Sequence, residues 1–238
     1  MCSLSAVVRH LTIRNSRLTK RTPLRKLVWL LALLLTASLL AAAADTTALK
    51  PPKGARVAIV VFEDLQCPDC SRAWPLLMEA AKTYKIPIVH YDFPLPQHNW
   101  SFQAAIFARY FDSVSLKVGD EFRTEVFAHQ IEITPATLQT FAENFAKQHS
   151  VRLPFAVDPK GELERKVRAD YSLGQRTGIQ HTPTIYVVSN TQRGTPFVEV
   201  VDRTQLYALI DDMLKQAGPA GDAPGKPVRS AKAASPRQ

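Results

Sequence analysis

Short apolar runs alternate along the chain with longer stretches in which apolar residues recur every three or four positions. The run VAIVVF at residues 57–62 is rich in β-branched side chains, which predicts a buried β-strand. Apolar residues then recur at helical spacing from Ala73 to Tyr84, which predicts an amphipathic helix that begins at Pro68. A second strand is predicted at residues 86–93. The folded part of the chain therefore opens with a strand, a helix and a strand.

A long helical block separates these strands from the next ones. The remaining predicted elements are helices at residues 99–112, 119–130, 134–149 and 159–174, strands at residues 182–189 and 195–201, and a helix at residues 203–216. A small sheet whose two halves are separated in sequence by helices indicates an α/β fold.

Residues 1–44 differ in composition from the rest of the chain. Seven lysines and arginines and no acidic residue are combined there with the apolar stretch LVWLLALLLTASLL, at residues 27–40, and a run of alanines. This order predicts a secretory signal peptide that is cleaved before Asp45. The alternative is a membrane anchor, because residues 27–44 carry no charge over about the length that spans a bilayer. Both interpretations place the rest of the chain outside the cytoplasm, in the periplasm or cell envelope. It would be soluble after cleavage or anchored at its N-terminus.

The rest of the chain divides into a linker, one domain and a tail. We expect a linker at residues 45–56, a folded domain at residues 57–216 with a helical insertion at about residues 97–176, and a disordered tail at residues 217–238. The net charge of +9 comes from the leader and the tail, so the domain itself is nearly neutral. A nearly neutral domain argues against a nucleic-acid partner.

Outside the leader the chain has two cysteines, Cys67 and Cys70, placed directly after the first predicted strand. In an exported chain such a pair can be a structural bridge, part of a metal site or a redox centre. A structural zinc site needs four ligands, and the domain has no third cysteine. A bridge that closes so short a loop would restrict the unfolded chain very little.

A redox role fits the position of the pair best. Backbone N–H groups at the start of the helix would stabilise a thiolate on Cys67 and lower its pKa. Cys67 is expected to be exposed at the turn between strand and helix, while Cys70, one helical turn further on, is covered. An exposed attacking sulfur and a covered resolving sulfur are what thiol–disulfide exchange requires.

Three segments resemble the DsbA-like branch of the thioredoxin superfamily. FEDLQCPDCSRAWP, at residues 62–75, resembles its active-site segment through Phe62, Asp64, the CPxC pattern and Pro75. PLPQHNWSFQAA, at residues 94–105, is similar to the entry into the branch's helical insertion, and GIQHTPTIYVV, at residues 178–188, resembles its cis-proline segment. The resemblance covers about residues 53–216. It implies a thioredoxin fold with a helical insertion between the two halves of the sheet.

The same resemblance implies functional residues around the cysteines. The peptide bond before the family's proline that corresponds to Pro183 is cis, and this segment lies beside the active site and helps to hold the substrate chain. Thr182 and Pro183 are therefore expected to bind substrate. His181, two residues before Pro183, is expected near Cys67, where it would tune the pKa of the thiol.

Two positions depart from the family's pattern. Thioredoxin-like proteins usually have a buried acid six residues before the first cysteine, where this chain has Val61, and Glu63 and Asp64 fall at other offsets. Between the cysteines stand Pro68 and Asp69, both expected to affect the pKa of the first thiol, whereas the DsbA pattern has a histidine there. The Asp69 carboxylate is expected to disfavour a neighbouring thiolate, which predicts a less oxidising disulfide, toward the reductase or isomerase end.

The resulting prediction is an exported thiol:disulfide oxidoreductase that acts on the thiols or disulfides of exported proteins through its CPDC motif. No cofactor or metal is expected, and an unidentified membrane redox partner would reset the cysteine pair. The alternative is an exported copper-binding or copper-delivery module that uses Cys67, Cys70 and His181, because thiolates suit Cu(I). A third possibility is a chaperone that only holds peptides near Pro183.

Overall fold

The computed structural model describes residues 44–191 and 194–218. The predicted leader up to residue 43 and the predicted tail from residue 219 onward lie outside the described residues. Among the helices that are described, none is long and apolar enough to cross a bilayer. The segment at residues 45–56, expected to be a linker, includes Ala48 and Leu49, which are buried against the domain.

A mixed sheet with the strand order β2–β1–β3–β4 forms the centre of the domain. The strands are β1 Val57–Glu63, β2 Ile88–Asp92, β3 Thr184–Ser189 and β4 Phe197–Glu199. β1 pairs in parallel with β2 and antiparallel with β3, which in turn pairs antiparallel with β4. Every residue of β1 and β3 is buried, and strands covered on both faces have continuous apolar sequences.

Helix α1, Pro68–Tyr84, connects the two parallel strands. It begins at a proline, whose missing N–H and fixed φ suit the first helical turn, and it ends where Lys85 adopts a left-handed conformation with φ 53°. The other helices are α2 Ser101–Val114, α3 Leu116–Ala128, α4 Leu138–Gln148, α5 Glu162–Thr177 and α6 Leu206–Gln216. Since α2 to α5 lie between β2 and β3 in sequence, the predicted α/β fold with a helical insertion between the halves of the sheet is confirmed.

Side chains that alternate along β1 supply two separate cores. Those at odd positions from Val57 to Val61 pack with apolar residues of α1 and α6, and those at even positions from Ala58 to Phe62 pack on the other face of the sheet. A third core, rich in phenylalanine, lies within the helical insertion and also takes in both cysteines. The insertion therefore covers the beginning of α1.

Three strands are shorter than predicted, and the first of them is β2, which spans Ile88–Asp92 instead of residues 86–93. β3 begins at Thr184 instead of residue 182, because Thr182 and Pro183 form a loop beside α1. β4 has three residues, whereas seven were predicted. It lies at the edge of the sheet directly after Pro196, which has no N–H with which to extend the hydrogen-bond ladder.

Candidate active site

The cysteine pair lies where β1 ends and α1 begins. Cys67 is the residue before the first helical position, with an extended backbone at φ −76° and ψ 120°, and Cys70 lies in the first turn. Both cysteines are free thiols in the structure. Cys67 is 6% exposed and Cys70 2%, so the expectation of an exposed Cys67 is wrong.

Two segments distant in sequence cover Cys67. Its thiol donates a hydrogen bond to the backbone carbonyl of Thr182 at 3.3 Å. On another side, the Gln130 side-chain amide donates to the carbonyls of Leu65 and Cys67, at 2.8 and 3.0 Å. These contacts explain the low exposure of Cys67, and the part played by Gln130 could not be read from the sequence.

Thr182 and Pro183 lie beside Cys67, where the resemblance implied that they would be. The peptide bond that joins them is cis, and both residues are buried. Among the described residues the Thr182 hydroxyl has no partner in good hydrogen-bond geometry. The hydroxyl is nevertheless close enough to the sulfur to donate to it once the thiol ionises.

The surroundings of Cys67 favour its ionised form. The pKa of its thiol is lowered to about 5, chiefly by a hydrogen bond from the Cys70 thiol. Burial opposes this change, whereas the side chain of Thr182 and the backbone N–H groups of Cys70 and Asp69 assist it. Cys67 therefore has the low pKa that nucleophilic thiols need, and the first helical turn supplies part of it.

Cys70 has the opposite tendency. Burial, first of all, and then the neighbouring Cys67 raise the pKa of Cys70 well above the ordinary value of a thiol. The backbone N–H of Asp64, which donates to the Cys70 sulfur at 3.4 Å, offsets only part of this rise. At neutral pH the pair thus consists of a Cys67 thiolate and a Cys70 thiol.

The carboxylate of Asp69 is held by two arginines. It pairs with Arg203, 134 residues away in sequence, and with Arg72 at 3.1 Å. The hydrogen bond with Arg203 lowers the pKa of Asp69, so the carboxylate is ionised but locally compensated. The expected rise in the pKa of Cys67 is not found, because Arg203 neutralises the carboxylate and the Asp69 backbone N–H lowers that pKa.

His181 is exposed and contacts neither cysteine through a hydrogen bond or ion pair in the structure. Its Nδ1 lies 3.4 Å from the hydroxyl of Thr184. Across residues 44–191 and 194–218, no group of three or more His, Cys, Asp and Glu side chains could hold a metal ion. Cys67, Cys70 and His181 therefore do not form the ligand group that the copper alternative requires.

Asp64 ties the active-site segment to the start of the helical insertion. Its buried carboxylate accepts hydrogen bonds from the backbone N–H groups of Gln66 and Leu95, at 2.7 and 2.6 Å, and from the Ser101 hydroxyl at 2.5 Å. His98 Nδ1 lies 2.7 Å from the same carboxylate. The turn before Cys67 is thus fixed against the chain that leads into α2.

A buried ion-pair network behind the cysteines was missed by sequence reasoning. Arg123, which has no exposed surface, donates to Glu63 at 2.9 Å and to both carboxylate oxygens of Asp112, at 2.7 and 2.9 Å. Glu63 also lies 3.0 Å from His90. Burial alone would raise the pKa of Glu63, but His90 and Arg123 bring it below its ordinary value. The network places fixed charge close to Cys70.

A low-pKa thiol at a helix N-terminus, a buried second thiol and an adjoining cis-proline segment define a dithiol site on a thioredoxin fold. The chain belongs to the thioredoxin family, because the family model described as thioredoxin matches residues 52–212. The predicted membership of the thioredoxin superfamily is confirmed together with the fold.

Solved structures of low sequence identity share this fold. The thiol-disulfide exchange protein α-DsbA2 of Wolbachia pipientis is 17% identical, with a TM-score of 0.54, and the match covers 69% of this chain and 85% of that one. ScsC of Proteus mirabilis is 20% identical, with a TM-score of 0.54, over 81% of this chain and 90% of that one. DsbA2 of Pseudomonas aeruginosa is 21% identical, with a TM-score of 0.50, over 71% and 94% of the two chains.

A curated relative is the Na(+)/H(+) antiporter NhaA 3 of Salinispora tropica, which is 24% identical over 178 residues. The match covers 73% of this chain and 26% of the antiporter. The chain thus spans about a quarter of the length of the curated relative that it matches.

Proposed function

We propose that the protein is an exported thiol:disulfide oxidoreductase that exchanges disulfides with other exported proteins through Cys67 and Cys70. The observation that carries this proposal is the opposite effect of the fold on the two thiols. The pKa of Cys67 is lowered to about 5, whereas that of Cys70 is raised. At neutral pH such a site has one sulfur that is ionised and can attack, and beside it a second sulfur that stays protonated until the resolving step.

The exchange proceeds in two steps in either direction. When the protein acts as a reductant, the Cys67 thiolate attacks a substrate disulfide, and one substrate sulfur leaves as a thiolate. Cys70 then attacks Cys67, which releases the second substrate thiolate and leaves a Cys67–Cys70 disulfide. When the protein acts as an oxidant the same steps run in reverse, and the substrate's two thiols are oxidised.

The low pKa of Cys67 favours the oxidising direction. A thiolate that is stabilised by its surroundings stabilises the reduced protein, and a stable reduced form makes the disulfide a stronger oxidant. This reverses the direction inferred from Asp69, because Arg203 compensates the Asp69 carboxylate. The α-DsbA2 protein of Wolbachia pipientis, a thiol-disulfide exchange protein, supports the choice of reaction class but does not indicate its direction.

The other parts of the proposal concern substrate, location and partner. Thr182 and Pro183 border Cys67, so a substrate chain joined to Cys67 would lie against them. The basic and apolar order of residues 1–44 supports export to the periplasm or cell envelope. A membrane redox partner is then needed to reoxidise the pair after each cycle.

The reduction of insulin by dithiothreitol tests the reaction class. The full chain should accelerate the precipitation of insulin, and Cys67→Ser should abolish the effect. The equilibrium of the pair with glutathione tests the direction, since an oxidant requires a potential well above that of thioredoxin, which is about −270 mV. Failure of the wild-type protein to catalyse either exchange would contradict the proposed function.

A further inference from the structure

The beginning of the domain is fixed to the end of α5. The backbone N–H of Asp45 donates to the carbonyl of Arg176 at 2.9 Å, and the Thr177 hydroxyl donates to the carbonyl of Asp45 at 2.8 Å. The Asp45 carboxylate also lies 3.2 Å from Nε of Arg176, whereas Ala44 before it is exposed. Asp45 is thus the residue that is bonded to α5 and also the one before which the leader pattern predicts cleavage.

The geometry at the end of α5 leaves a carbonyl for this contact. Gly178 adopts a left-handed conformation with φ 89°, so its N–H and that of Ile179 turn back to carbonyls of the preceding turn. The carbonyl of Arg176 accepts from Asp45. Since the last carbonyls of a helix carry partial negative charge, a cation bound there is stabilised.

Cleavage of the leader would change the chemistry of this contact. While residue 44 is attached, Asp45 contributes a neutral amide N–H. After cleavage before Asp45 the same nitrogen is an α-ammonium group, which places a full positive charge at the C-terminal end of a 16-residue helix. Cleavage at another bond would either remove Asp45 or place the charge on a different residue.

The charged side chains at this contact compensate each other. Among the described residues they are the Asp45 carboxylate and the Arg176 guanidinium. Hydrogen bonds from Thr47, at 2.6 and 3.1 Å, and from Arg176 lower the pKa of Asp45, so its carboxylate is ionised at neutral pH. This carboxylate attracts an ammonium group on its own residue and offsets the repulsion from Arg176.

The end of α5 is connected to the active site. A short loop runs from α5 to Thr182, whose carbonyl accepts the hydrogen bond from Cys67. Ile179 in this loop packs in the same apolar core as Ala48 and Leu49. A firmly held end of α5 therefore supports the segment that covers Cys67.

We propose that the C-terminal end of α5 is a binding site for the ammonium group that forms when the leader is cleaved before Asp45. Hydrolysis of this bond by a signal peptidase consumes one water. It leaves a carboxylate on Ala44 of the leader and an ammonium group on Asp45, which donates to the Arg176 carbonyl. The site is independent of disulfide exchange and depends only on the export in the proposed function. Cleavage adds a stabilising charge that the precursor lacks.

Protein purified from the native host tests this proposal in two steps. Its N-terminal sequence should begin with Asp45. Acetylation of the α-amino group, carried out in urea below neutral pH where lysine side chains stay protonated, then removes the charge. After refolding, the acetylated nitrogen still has an N–H that can donate to Arg176. The comparison therefore separates the charge from the hydrogen bond.

Acetylation should raise the equilibrium constant of unfolding roughly twofold to fivefold at pH 7 and low ionic strength. Because the helix end raises the pKa of the ammonium group, its stabilisation is complete below the ordinary pKa of an α-amino group. The stabilisation is lost as the pH rises through the folded-state pKa, so both proteins should be equally stable at pH 10. A different first residue, equal stability at pH 7 or a difference that persists at pH 10 would overturn the proposal.

Hydrogen exchange at neutral pH shows where the charge acts. The amides of Gly178 and Ile179 should exchange faster in the acetylated protein, since the end of α5 opens more often. The matched control is the end of α1, where Lys85 is also left-handed and the Ile86 N–H also returns to the helix, 3.1 Å from the Ala81 carbonyl. Exchange there should stay the same, and an equal change at both helix ends would contradict a site on α5.

The insulin assay on the same native preparation keeps the two proposals apart. If insulin is not reduced although the chain begins at Asp45 and acetylation destabilises it, disulfide exchange is contradicted and the ammonium site is supported. If insulin is reduced by a protein that acetylation does not destabilise, the ammonium site is contradicted and the proposed function stands.

Discussion

The pKa of Cys67 should depend most strongly on what stands at position 70. The hydrogen bond from the Cys70 thiol is the largest contribution that lowers this pKa to about 5. Cys70→Ala removes the donor, whereas Cys70→Ser keeps a hydroxyl in its place. The two variants have side chains of similar size, and neither can form the disulfide. Their comparison therefore isolates the hydrogen bond.

The size of the effect follows from the strength of such a bond. A hydrogen bond to a charged group contributes about 1.5–3 kcal/mol. One pKa unit corresponds to about 1.4 kcal/mol, so the loss of the bond should raise the pKa of Cys67 by about one to two units. At pH 6 the thiolate fraction should then fall from roughly nine-tenths to one-half or less. Cys70→Ser should remain close to the value of the reduced wild-type protein.

Thiolate absorbance in the ultraviolet, followed from pH 3 to pH 9, measures this pKa directly. The pH dependence of Cys67 alkylation by iodoacetamide provides an independent value. If Cys70→Ala and Cys70→Ser titrate at the same pH, the hydrogen bond does not lower the pKa of Cys67. The helix N-terminus would then have to account for the low value.

Three further predictions concern the charges of the domain. Because the folded-state pKa of Cys67 is lowered, the thiolate stabilises the reduced protein above the unfolded-state pKa, and this stability is lost as the pH falls through about 5. Between pH 7 and pH 5 the free energy of unfolding, measured by chemical denaturation, should fall by about 2 kcal/mol more in the reduced wild-type protein than in Cys67→Ser. Arg203→Gln should raise the pKa of Cys67 by less than about one unit, because the pair is partly exposed, and adding Asp69→Asn should reverse the change, as followed by thiolate absorbance. Arg123→Met should lower the free energy of unfolding by about 3–5 kcal/mol, since the buried carboxylate of Glu63 and the partly buried carboxylate of Asp112 lose the ion pair with Arg123, whereas Lys117→Gln at an exposed ion pair should change it by less than about 0.5 kcal/mol.

The sequence predicted those elements of the fold in which the pattern of apolar residues matches the burial found in the structure. β1 and β3 are fully buried and mainly apolar, and the start of α1 is marked by Pro68. Cys67 of the CPDC motif and Thr182 of the TPT motif are 115 residues apart in sequence, and a hydrogen bond joins them in the structure. Such a pair of motifs can be recognised from the sequence because each motif is a short continuous segment.

The parts that the sequence did not predict depend on contacts between distant side chains. The burial of Cys67 requires Gln130, and the neutralisation of Asp69 requires Arg203, which no local pattern connects to the active site. The position of Glu63 could have been found. It lies two residues after Val61, so the two-residue period of a strand puts both side chains on the same face.

The most direct test of the central claim, that Cys67 attacks and Cys70 resolves, is the isolation of trapped mixed disulfides from the native host. Cys70→Ser should accumulate disulfide-linked complexes with exported proteins, and mass spectrometry should locate the bond on Cys67. Cys67→Ser, produced at the same level, should accumulate none. Complexes that form with Cys67→Ser and are absent with Cys70→Ser would contradict the account.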